Sequence, residues 1–400
     1  MNILYLAYWP AVDALTQAVI YPRLEILSRE AAVKQIIFCT IERGEMVKPL
    51  FSNPKVEWVG FNSKNKGNIL LTKSADFVGL PALLKKIVKE KKIDLVIANS
   101  SLAGGMAYQV WRSTQVPFLV ECFEPHADYM LESGVWKIWH MRYWILRYFE
   151  YQQKKHAWRL LTVAQHYSSK LVHDGVMAKK IRTLPNCVNT IDFEFKPGDR
   201  EAVRRRLAFS SHHRIGIYVG KFGGLYYIEE AYELFAQAFK FFGEDFRMII
   251  LTDEDQTVVR QFLTVYGIDL RKVLIAYVPH HEVSSHLSAA DFAFATIKPT
   301  ASALYRCLVK NGEYWANGLP ILLEEGVGND SDLVRSEGGG VLFALKDPTS
   351  GFTQLSKLLE RGREQLALEI APIAYRHRRM ELTREIFQEI LADLYKKDAE

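Results

Sequence analysis

A chain of 400 residues, of which 49% are hydrophobic, has enough apolar material for two globular domains rather than one. The formal charge of +5, from 51 basic and 46 acidic residues, is too small and too dispersed to indicate a nucleic-acid partner. The cysteines, Cys39, Cys122, Cys187 and Cys307, lie far apart without a C-x-x-C pair, which argues against a zinc site or disulfide framework and favours free thiols.

The first residues, MNILYLAYWP, lack a basic leader before their apolar run, which ends at Pro10. They therefore predict a buried strand and not a signal peptide. No stretch approaches the roughly 20 apolar residues that span a bilayer. We expect a cytoplasmic protein whose only contact with a membrane is peripheral.

Short apolar runs alternate with helical patterns along the whole chain. They predict strands at 2–8, 35–40, 94–99, 117–122, 214–220, 246–251, 272–278, 291–297 and 320–324. Helices are predicted over 14–30, 79–91, 102–113, 227–242 and 254–264, and again from about residue 350. This alternation predicts an α/β protein with two doubly wound parallel sheets, which bind ligands at the carboxyl ends of their strands.

The join between the two sheets is predicted near residue 190, where a strand ends at Pro185 and a polar passage follows. We therefore expect one Rossmann-like domain over 1–190 and a second over 191–370. A C-terminal helix over 371–400 should pack back toward the first domain. Its basic residues, Arg376, His377, Arg378, Arg379 and Arg384, predict a solvated helix face.

The segment YVGKFGGLYYIEEAYELF (218–235) predicts a strand, a turn containing Gly220, Gly223 and Gly224, and an amphipathic helix. The exposed N–H groups and the positive end of the helix dipole favour an anion pocket, to which Lys221 adds a charge. The glycines match neither the dinucleotide fingerprint nor a Walker motif, so a tight turn without a ligand is an equal alternative.

The segment IKPTASALYRCLVKNGEYWANGLPILLEE (297–325) predicts a polar loop that enters a short helix closed by Gly318 and Pro320. Glu313 in that helix can accept hydrogen bonds from two ribose hydroxyls. A diphosphate could take backbone N–H groups and positive charge from the preceding residues, Ser302, Ala303, Leu304, Arg306 and Lys310. Taken alone, solvated side chains on a loop explain the same residues.

Together these segments resemble glycosyltransferase family 4, the group 1 glycosyl transferases. GEYWANGLP after KPTASALYRCLVKN resembles the family's donor-binding segment, and YVGKFGGLYYIEEA resembles its strand, loop and helix. AYVPHHEVSSHLSAADFAFA (276–295) is similar to its base-binding stretch, in which Val278 would contact the donor. The resemblance implies the GT-B fold, in which two Rossmann-like domains face each other across a cleft. Residues 1–190 would then form the acceptor side and 191–370 the nucleotide-sugar side.

The resemblance also implies an activity. The family retains the anomeric configuration without a bound metal or other cofactor, and it implies catalytic roles for Lys221, Glu313 and His126. His126 lies in VECFEPHADYM (120–130), where it matches a family histidine near the donor sugar, and Glu124 is a second candidate contact. The substrates would be a UDP- or GDP-sugar and a saccharide or lipid-linked saccharide acceptor in cell-surface glycan synthesis.

The chain also departs from the family pattern. Many members carry two glutamates eight positions apart, and the first of these positions is Tyr305 here. A subset carries a lysine before the G-E-Y segment, which Lys310 matches, and the glycine pair of the first N-terminal loop is replaced by AVDALTQAV (11–19). Two alternatives therefore stay open: a catalytically silent nucleotide-sugar-binding protein, and a sugar-nucleotide epimerase or hydrolase of the same fold.

Two further motifs allow more than one interpretation. The D-x-D pairs Asp253–Asp255 and Asp330–Asp332 match a metal-binding pattern, but chance occurrence on solvated loops explains them better. GVWKIWHMRYWILRYFEYQQKKHAWR (134–159) mixes tryptophans with lysines and arginines, as helices at a bilayer surface do. We favour the simpler alternative that its stripe packs on the N-terminal domain, the stripe being Trp136, Trp139, Tyr143 and Leu146.

Overall fold

The computed structural model describes residues 1–63, 69–122 and 124–399, with side chains described outside 69–74 and 397–399. The chain divides into two compact units. Unit 1 consists of residues 1–185 together with 381–400, and unit 2 consists of residues 186–380.

Unit 1 contains a seven-stranded parallel sheet in the order β3-β2-β1-β4-β5-β6-β7. Its strands are β1 (Asn2–Ala7), β2 (Gln35–Glu42), β3 (Val56–Asn62), β4 (Leu95–Asn99), β5 (Phe118–Cys122), β6 (Arg159–Thr162) and β7 (Ile181–Thr183). Its helices are α1 (Tyr21–Arg29), α2 (Ile69–Glu90), α3 (Ser101–Thr114), α4 (His126–Glu132), α5 (Met141–His156) and α6 (Gln165–His173).

Unit 2 contains a six-stranded parallel sheet in the order β10-β9-β8-β11-β12-β13. Its strands are β8 (Arg214–Val219), β9 (Phe246–Leu251), β10 (Val273–Ala276), β11 (Phe292–Ala295), β12 (Ile321–Glu324) and β13 (Gly340–Phe343). Its helices are α7 (Pro197–Arg206), α8 (Glu229–Phe242), α9 (Gln256–Val265), α10 (His280–Ala289), α11 (Val309–Ala316), α12 (Gly328–Glu337), α13 (Pro348–Leu359) and α14 (Arg363–His377).

The last helix, α15 (Met380–Ala399), returns to unit 1. Ion pairs join it to two strands of the sheet, since Asp393 accepts from Arg159 of β6 at 2.7 Å and Glu389 accepts from Arg182 of β7 at 2.5 Å. A third ion pair joins Arg384 to Glu30, the residue that follows α1, at 3.4 Å.

The central strands read as continuous apolar runs because both faces of each sheet are buried. Every residue of β4 and of β5 is buried, as are the four residues of β11 and of β12. The predicted α/β architecture with two doubly wound parallel sheets is confirmed.

β3, β6 and β13 were not predicted from the sequence. β3 is an edge strand whose side chains are mostly half-buried, so its apolar signal is weak. β13 is also an edge strand and has only two buried residues, and the buried apolar residues of β6 are limited to Leu160 and Leu161.

Within the part of the chain that the structure describes, no helix is both long enough and apolar enough to cross a bilayer.

The cysteines are all buried, and burial raises the thiol pKa of Cys39, Cys122 and Cys307 to about 12. These thiols are therefore held in the protonated, unreactive form.

Candidate functional site

The order of strands in unit 2 reverses between β8 and β11, because β9 lies on one side of β8 and β11 on the other. In open α/β sheets such a reversal leaves a crevice at the carboxyl ends of the two strands, where ligands bind. The segments that follow β8 and β11 contain most of the residues predicted to bind the donor.

The turn after β8 is built on glycines in conformations that other residues rarely adopt. Gly220, Gly223 and Gly224 have φ angles of +144°, +83° and +64°. The turn is fixed by a hydrogen bond from the hydroxyl of Tyr218 to the carbonyl of Lys221 at 2.5 Å. The Lys221 side chain is exposed, so the turn carries a solvent-exposed positive charge beside its glycines.

Helix α11 packs directly against this turn. The Nζ atom of Lys310 occupies the space that a Cβ atom on Gly220 would need, and it lies 4.9 Å from the ring centre of Tyr226. The hydroxyl of Tyr314 accepts a hydrogen bond from the N–H of Val219 at 3.2 Å. The structure thus brings Lys310 to the glycine turn, although 90 residues separate them in sequence.

The loop after β11 contains a short 3-10 helix, Ala301–Tyr305. Ser302 and Ala303 are buried and Leu304 is partly exposed at 38%. The N–H of Ala303 already donates to the carbonyl of Thr300 at 2.9 Å, so a diphosphate would have to compete for it.

Arg306 does not lie in solvent as loop cations usually do. It is 4% exposed and donates a hydrogen bond to the Oγ atom of Ser302 at 3.0 Å. Gly328 at the start of α12 approaches the carbonyl of Arg306 so closely that a Cβ atom would overlap it. Arg306 is therefore built into the wall of the loop.

Glu313 lies on α11, and its carboxylate is buried, with 5% of the residue exposed. Its Oε1 atom is 2.9 Å from Nε2 of His280, the first residue of α10. The hydrogen bond to Glu313 raises the pKa of His280 above its usual value of 6.5. The predicted alternative of a solvated carboxylate is wrong, because Glu313 is held by a partner from another element.

The end of α11 requires glycine at the G-L-P motif. Gly318 has a φ angle of +64°, and a Cβ atom there would overlap the backbone of Ala367 on α14. The carbonyl of Gly318 accepts from Nη1 of Arg363 at 3.0 Å. The motif therefore fixes where α11 ends and how it packs on α14.

A buried ion pair supports α11 from the other side. Arg378 and Asp330 pair with 2% and 1% of their side chains exposed, and Asn311 on α11 donates to Asp330 at 2.8 Å. Arg378 also donates to the carbonyl of Asn186 at 3.1 Å. Two predictions are wrong here: Arg378 is not on a solvated helix face, and Asp330 is not on a solvated loop.

Two of the remaining D-x-D residues, Asp255 and Asp332, also have structural partners. Asp255 accepts a hydrogen bond from the N–H of Thr257 at 2.7 Å and caps α9. Asp332 pairs with Arg335 at 3.0 Å on the surface of α12.

In unit 1, His126 begins α4 after the carboxyl end of β5. Its Nδ1 atom lies 3.0 Å from Oε1 of Glu124, and both side chains are largely buried. Glu150 lies behind them on α5 and accepts a hydrogen bond from the N–H of Ala127 at 3.1 Å. Burial raises the pKa of Glu150 to about 7.

The large side chains of the aromatic segment 134–159 fall into two groups, one buried and one exposed to solvent. Trp136, Tyr143 and Leu146 are buried in a cluster with Ala127, as the packing interpretation predicts. Trp139 is not part of that stripe, since it is 71% exposed. Seven more large apolar side chains in this segment are exposed: Val135, Ile138, Met141, Trp144, Ile145, Tyr148 and Tyr151.

Three residues of the site were not predicted. His280 lies in the segment 276–295, which is predicted to bind the base, and its pairing with Glu313 depends on how two helices meet. Tyr226 and Tyr314 have no distinguishing sequence signal, and only the packing of α11 on the glycine turn shows that they line it.

Comparison with known proteins shows which structures this chain resembles. Sucrose-phosphate synthase from Thermosynechococcus elongatus matches with a TM-score of 0.77 and 15% identity, covering 99% of this chain and 100% of that one. Anabaena HepE in complex with UDP matches with a TM-score of 0.72 and 14% identity, covering 98% and 100%. The lipopolysaccharide outer core galactosyltransferase WaaB matches with a TM-score of 0.65 and 13% identity, covering 98% and 99%. These likenesses show a shared fold.

Two sheets of this topology, shared with those structures, define the GT-B fold of glycosyltransferases. Residues 62–191 match the sequence model of Glycosyltransferase Family 4, and the whole chain shares its fold with glycosyltransferases of known structure. The matched residues lie almost entirely in unit 1, whereas the motifs that suggested the family lie in unit 2. A search of curated protein sequences gave no match.

Proposed function

We propose that this glycosyltransferase moves a sugar from a UDP- or GDP-sugar to a saccharide or lipid-linked saccharide, with retention at the anomeric carbon, in cell-surface glycan synthesis. One observation carries the proposal. At the switch point of unit 2, the exposed Lys221 and the Nζ atom of Lys310 lie at one glycine turn. The helix that carries Lys310 also carries Glu313, whose carboxylate is held by His280. This is the set of groups that a nucleoside diphosphate requires.

The diphosphate would lie at the glycine turn. A departing nucleoside diphosphate develops negative charge on its oxygens, and Lys221 and Lys310 can offset that charge at Gly220, Gly223 and Gly224. The N–H groups of Ser302, Ala303 and Leu304 are further donors in the neighbouring loop. Because protein cations serve the leaving group, the reaction needs no metal ion or other cofactor in this proposal.

The nucleoside would lie toward Glu313. Its carboxylate accepts hydrogen bonds from the ribose hydroxyls, and His280 keeps it in place from the neighbouring helix. Val278, two residues before His280, would contact the base. Arg306 contributes by fixing Ser302 rather than by direct contact with phosphate.

Tyr305 occupies the position where many relatives of the family carry a first glutamate. In this proposal Lys310 performs part of the role of that glutamate at the reacting end of the donor, because it lies beside the glycine turn. His126 acts from unit 1 and contacts the sugar, with Glu124 fixing its ring through Nδ1.

We further propose that the enzyme associates peripherally with the inner face of a membrane through residues 134–159. The segment exposes two tryptophans, Trp139 and Trp144, at 71% and 57%. Cations lie among these apolar side chains, namely Lys137, Arg142, Arg147, Lys154 and Lys155. Aromatic rings with interspersed cations suit the headgroup region of an anionic bilayer.

The proposal is tested by incubating the protein with UDP-, GDP- and ADP-sugars and following both ligand binding and products. A ligand that binds only the native state raises the melting temperature, so a thermal-shift panel identifies the donor. With the donor known, NMR of the product should show an α-linkage from an α-linked donor sugar. Binding without transfer or donor hydrolysis would favour a silent nucleotide-sugar-binding protein, and a free sugar epimer would favour an epimerase.

A further inference from the structure

A basic cavity of about 580 Å³ lies in unit 1, at the amino ends of its strands. Pro117 and Arg159 stand at the starts of β5 and β6, and Lys180 directly precedes β7. The proposed donor site follows the carboxyl ends of strands in unit 2, so this cavity is separate from it. His126 follows the carboxyl end of β5, so the cavity is also at the opposite end of the sheet from His126.

The cavity carries an excess of positive charge. Among the side chains that the structure describes, four cations line it, namely Arg159, Lys179, Lys180 and Lys396, against the single carboxylate of Asp393. Asp393 is already bound by Nη2 of Arg159 at 2.7 Å. Within these described lining residues, the three lysines therefore have no further carboxylate beside them.

Arg159 has an unused donor. Its Nε atom is buried and has no hydrogen-bond partner among the residues that the structure describes. Buried polar groups normally have partners, and a guanidinium N–H is a strong donor to an oxyanion. Burial, followed by the neighbouring cations Arg159 and Lys179, also lowers the pKa of Lys180.

The lysine and the rings are held in place without a ligand. The Nζ atom of Lys180 donates to the carbonyl of Lys155 at 2.9 Å, at the end of α5. The rings of Trp111 and His156 lie 4.6 Å apart, and the guanidinium of Arg159 lies 4.8 Å from the ring centre of Trp158. A partly aromatic wall with lysines at its rim suits a compact anion.

We propose that this cavity binds a phosphate-bearing anion, as a diphosphate or phosphomonoester group, separately from the donor site. Arg159 bonds the anion from the floor of the cavity, and Lys179, Lys180 and Lys396 neutralise its charge from the rim. The free phosphate of a metabolite and the phosphate headgroup of a lipid share this chemistry.

The test is calorimetric titration of the whole protein with inorganic pyrophosphate at constant ionic strength. The double variant K179A/K396A removes two exposed rim charges and should bind pyrophosphate at least tenfold more weakly than the unsubstituted protein. The control K48A/K89A removes two exposed lysines elsewhere in unit 1 and should leave the affinity unchanged. An equal loss in both double variants would attribute binding to net charge and overturn the proposal.

Pyrophosphate also resembles the diphosphate of the proposed donor, so the titration is repeated with K221A/K310A. Binding at the basic cavity should survive in that variant, whose changes lie in unit 2. If K221A/K310A abolishes all binding, the cavity takes no diphosphate and the proposal fails while the donor site stands. If K221A/K310A has no effect at all, the donor site is called into question while the cavity stands.

A second arm separates the two sources of phosphate. Vesicles of phosphatidylcholine with phosphatidic acid are sedimented with each variant, and vesicles of phosphatidylcholine alone serve as the reference. A lipid phosphate would be identified as the ligand by two results together. K179A/K396A, and no other variant, would lose binding to the phosphatidic acid vesicles, and the unsubstituted protein would not bind pyrophosphate. Binding of neither pyrophosphate nor phosphatidic acid through Lys179 and Lys396 would overturn the proposal.

Discussion

The Nε2 atom of His280 lies 2.9 Å from Oε1 of Glu313, and this pair joins the start of α10 to the middle of α11. Glu313 is the residue on which the proposed ribose contact depends. Because the imidazole fixes one oxygen of a buried carboxylate, the acid is oriented before any nucleotide arrives. Such preorganisation lowers the entropy cost of binding.

The pair predicts a pH-dependent contribution of His280 to stability. Its pKa is raised in the folded protein, so the contribution is fully present below the usual value of 6.5 and is lost as pH rises through the raised pKa. His280→Gln should therefore lower the free energy of unfolding more at about pH 6 than at about pH 9. The loss at low pH should stay under about 1 kcal/mol because the imidazole is partly exposed. Urea unfolding at the two pH values measures it, and an equal loss at both would contradict the pairing.

Glu150 predicts a gain of stability on substitution that grows as pH rises. Burial raises its pKa from 4.5 to about 7, so its ionisation destabilises the folded protein as pH rises between these values. Glu150→Gln should therefore be more stable than the unsubstituted protein above pH 7, by about 1–3 kcal/mol. The gain should shrink toward pH 4.5, where the carboxyl is neutral in both states. The amide oxygen of glutamine can still accept from the N–H of Ala127, so a loss of stability at every pH would contradict this prediction.

Lys310 predicts a loss of donor affinity. Its ammonium group stands beside Gly220, where the diphosphate is proposed to lie. Lys310→Met keeps the length of the side chain and removes the charge, so UDP should bind more weakly by about 1.5–3 kcal/mol, the range for hydrogen bonds to charged groups. The control Lys240→Met removes an exposed lysine at the far end of α8 and should leave the calorimetric affinity unchanged. Equal affinities for the Lys310 variant and the control would remove Lys310 from the donor site.

The exposed aromatic segment predicts binding to anionic vesicles. Trp139 and Met141 are 71% and 74% exposed, so replacing both with serine should not disturb the core. The double variant W139S/M141S should sediment with anionic vesicles at least tenfold less well, because it removes apolar area that would enter the interface. V265S/L368S, which changes two side chains exposed at 79% and 73% in unit 2, is the matched control. Unchanged sedimentation of W139S/M141S would exclude this face as the membrane contact.

The fold was more predictable from sequence than the site. Buried parallel strands read as uninterrupted apolar runs, so β1, β4 and β9 were found within a residue or two. Edge strands such as β3 and β13 carry too few buried positions to give a period.

The residues of the site that the sequence left unresolved depend on contacts between distant elements. Arg306 looks like any loop cation until its burial against Ser302 is known. Arg378 sits in a basic cluster whose pattern predicts exposure, yet it is buried with Asp330, 48 residues earlier. Neither contact has a local sequence signal, because each depends on how α11, α12 and the segment after α14 pack together.

The central claim is that unit 2 binds a nucleotide through Glu313, and calorimetric titration with UDP and GDP tests it most directly. For whichever nucleotide binds, Glu313→Ala should weaken affinity by about 1–3 kcal/mol, because the ribose hydroxyls lose their acceptor. Glu313→Gln, which preserves the size of the side chain, checks that the loss is not due to misfolding, and Glu282→Ala on the surface of α10 is the control. A selective loss in both Glu313 variants is the predicted result, and unchanged affinity in folded Glu313→Ala would contradict the claim.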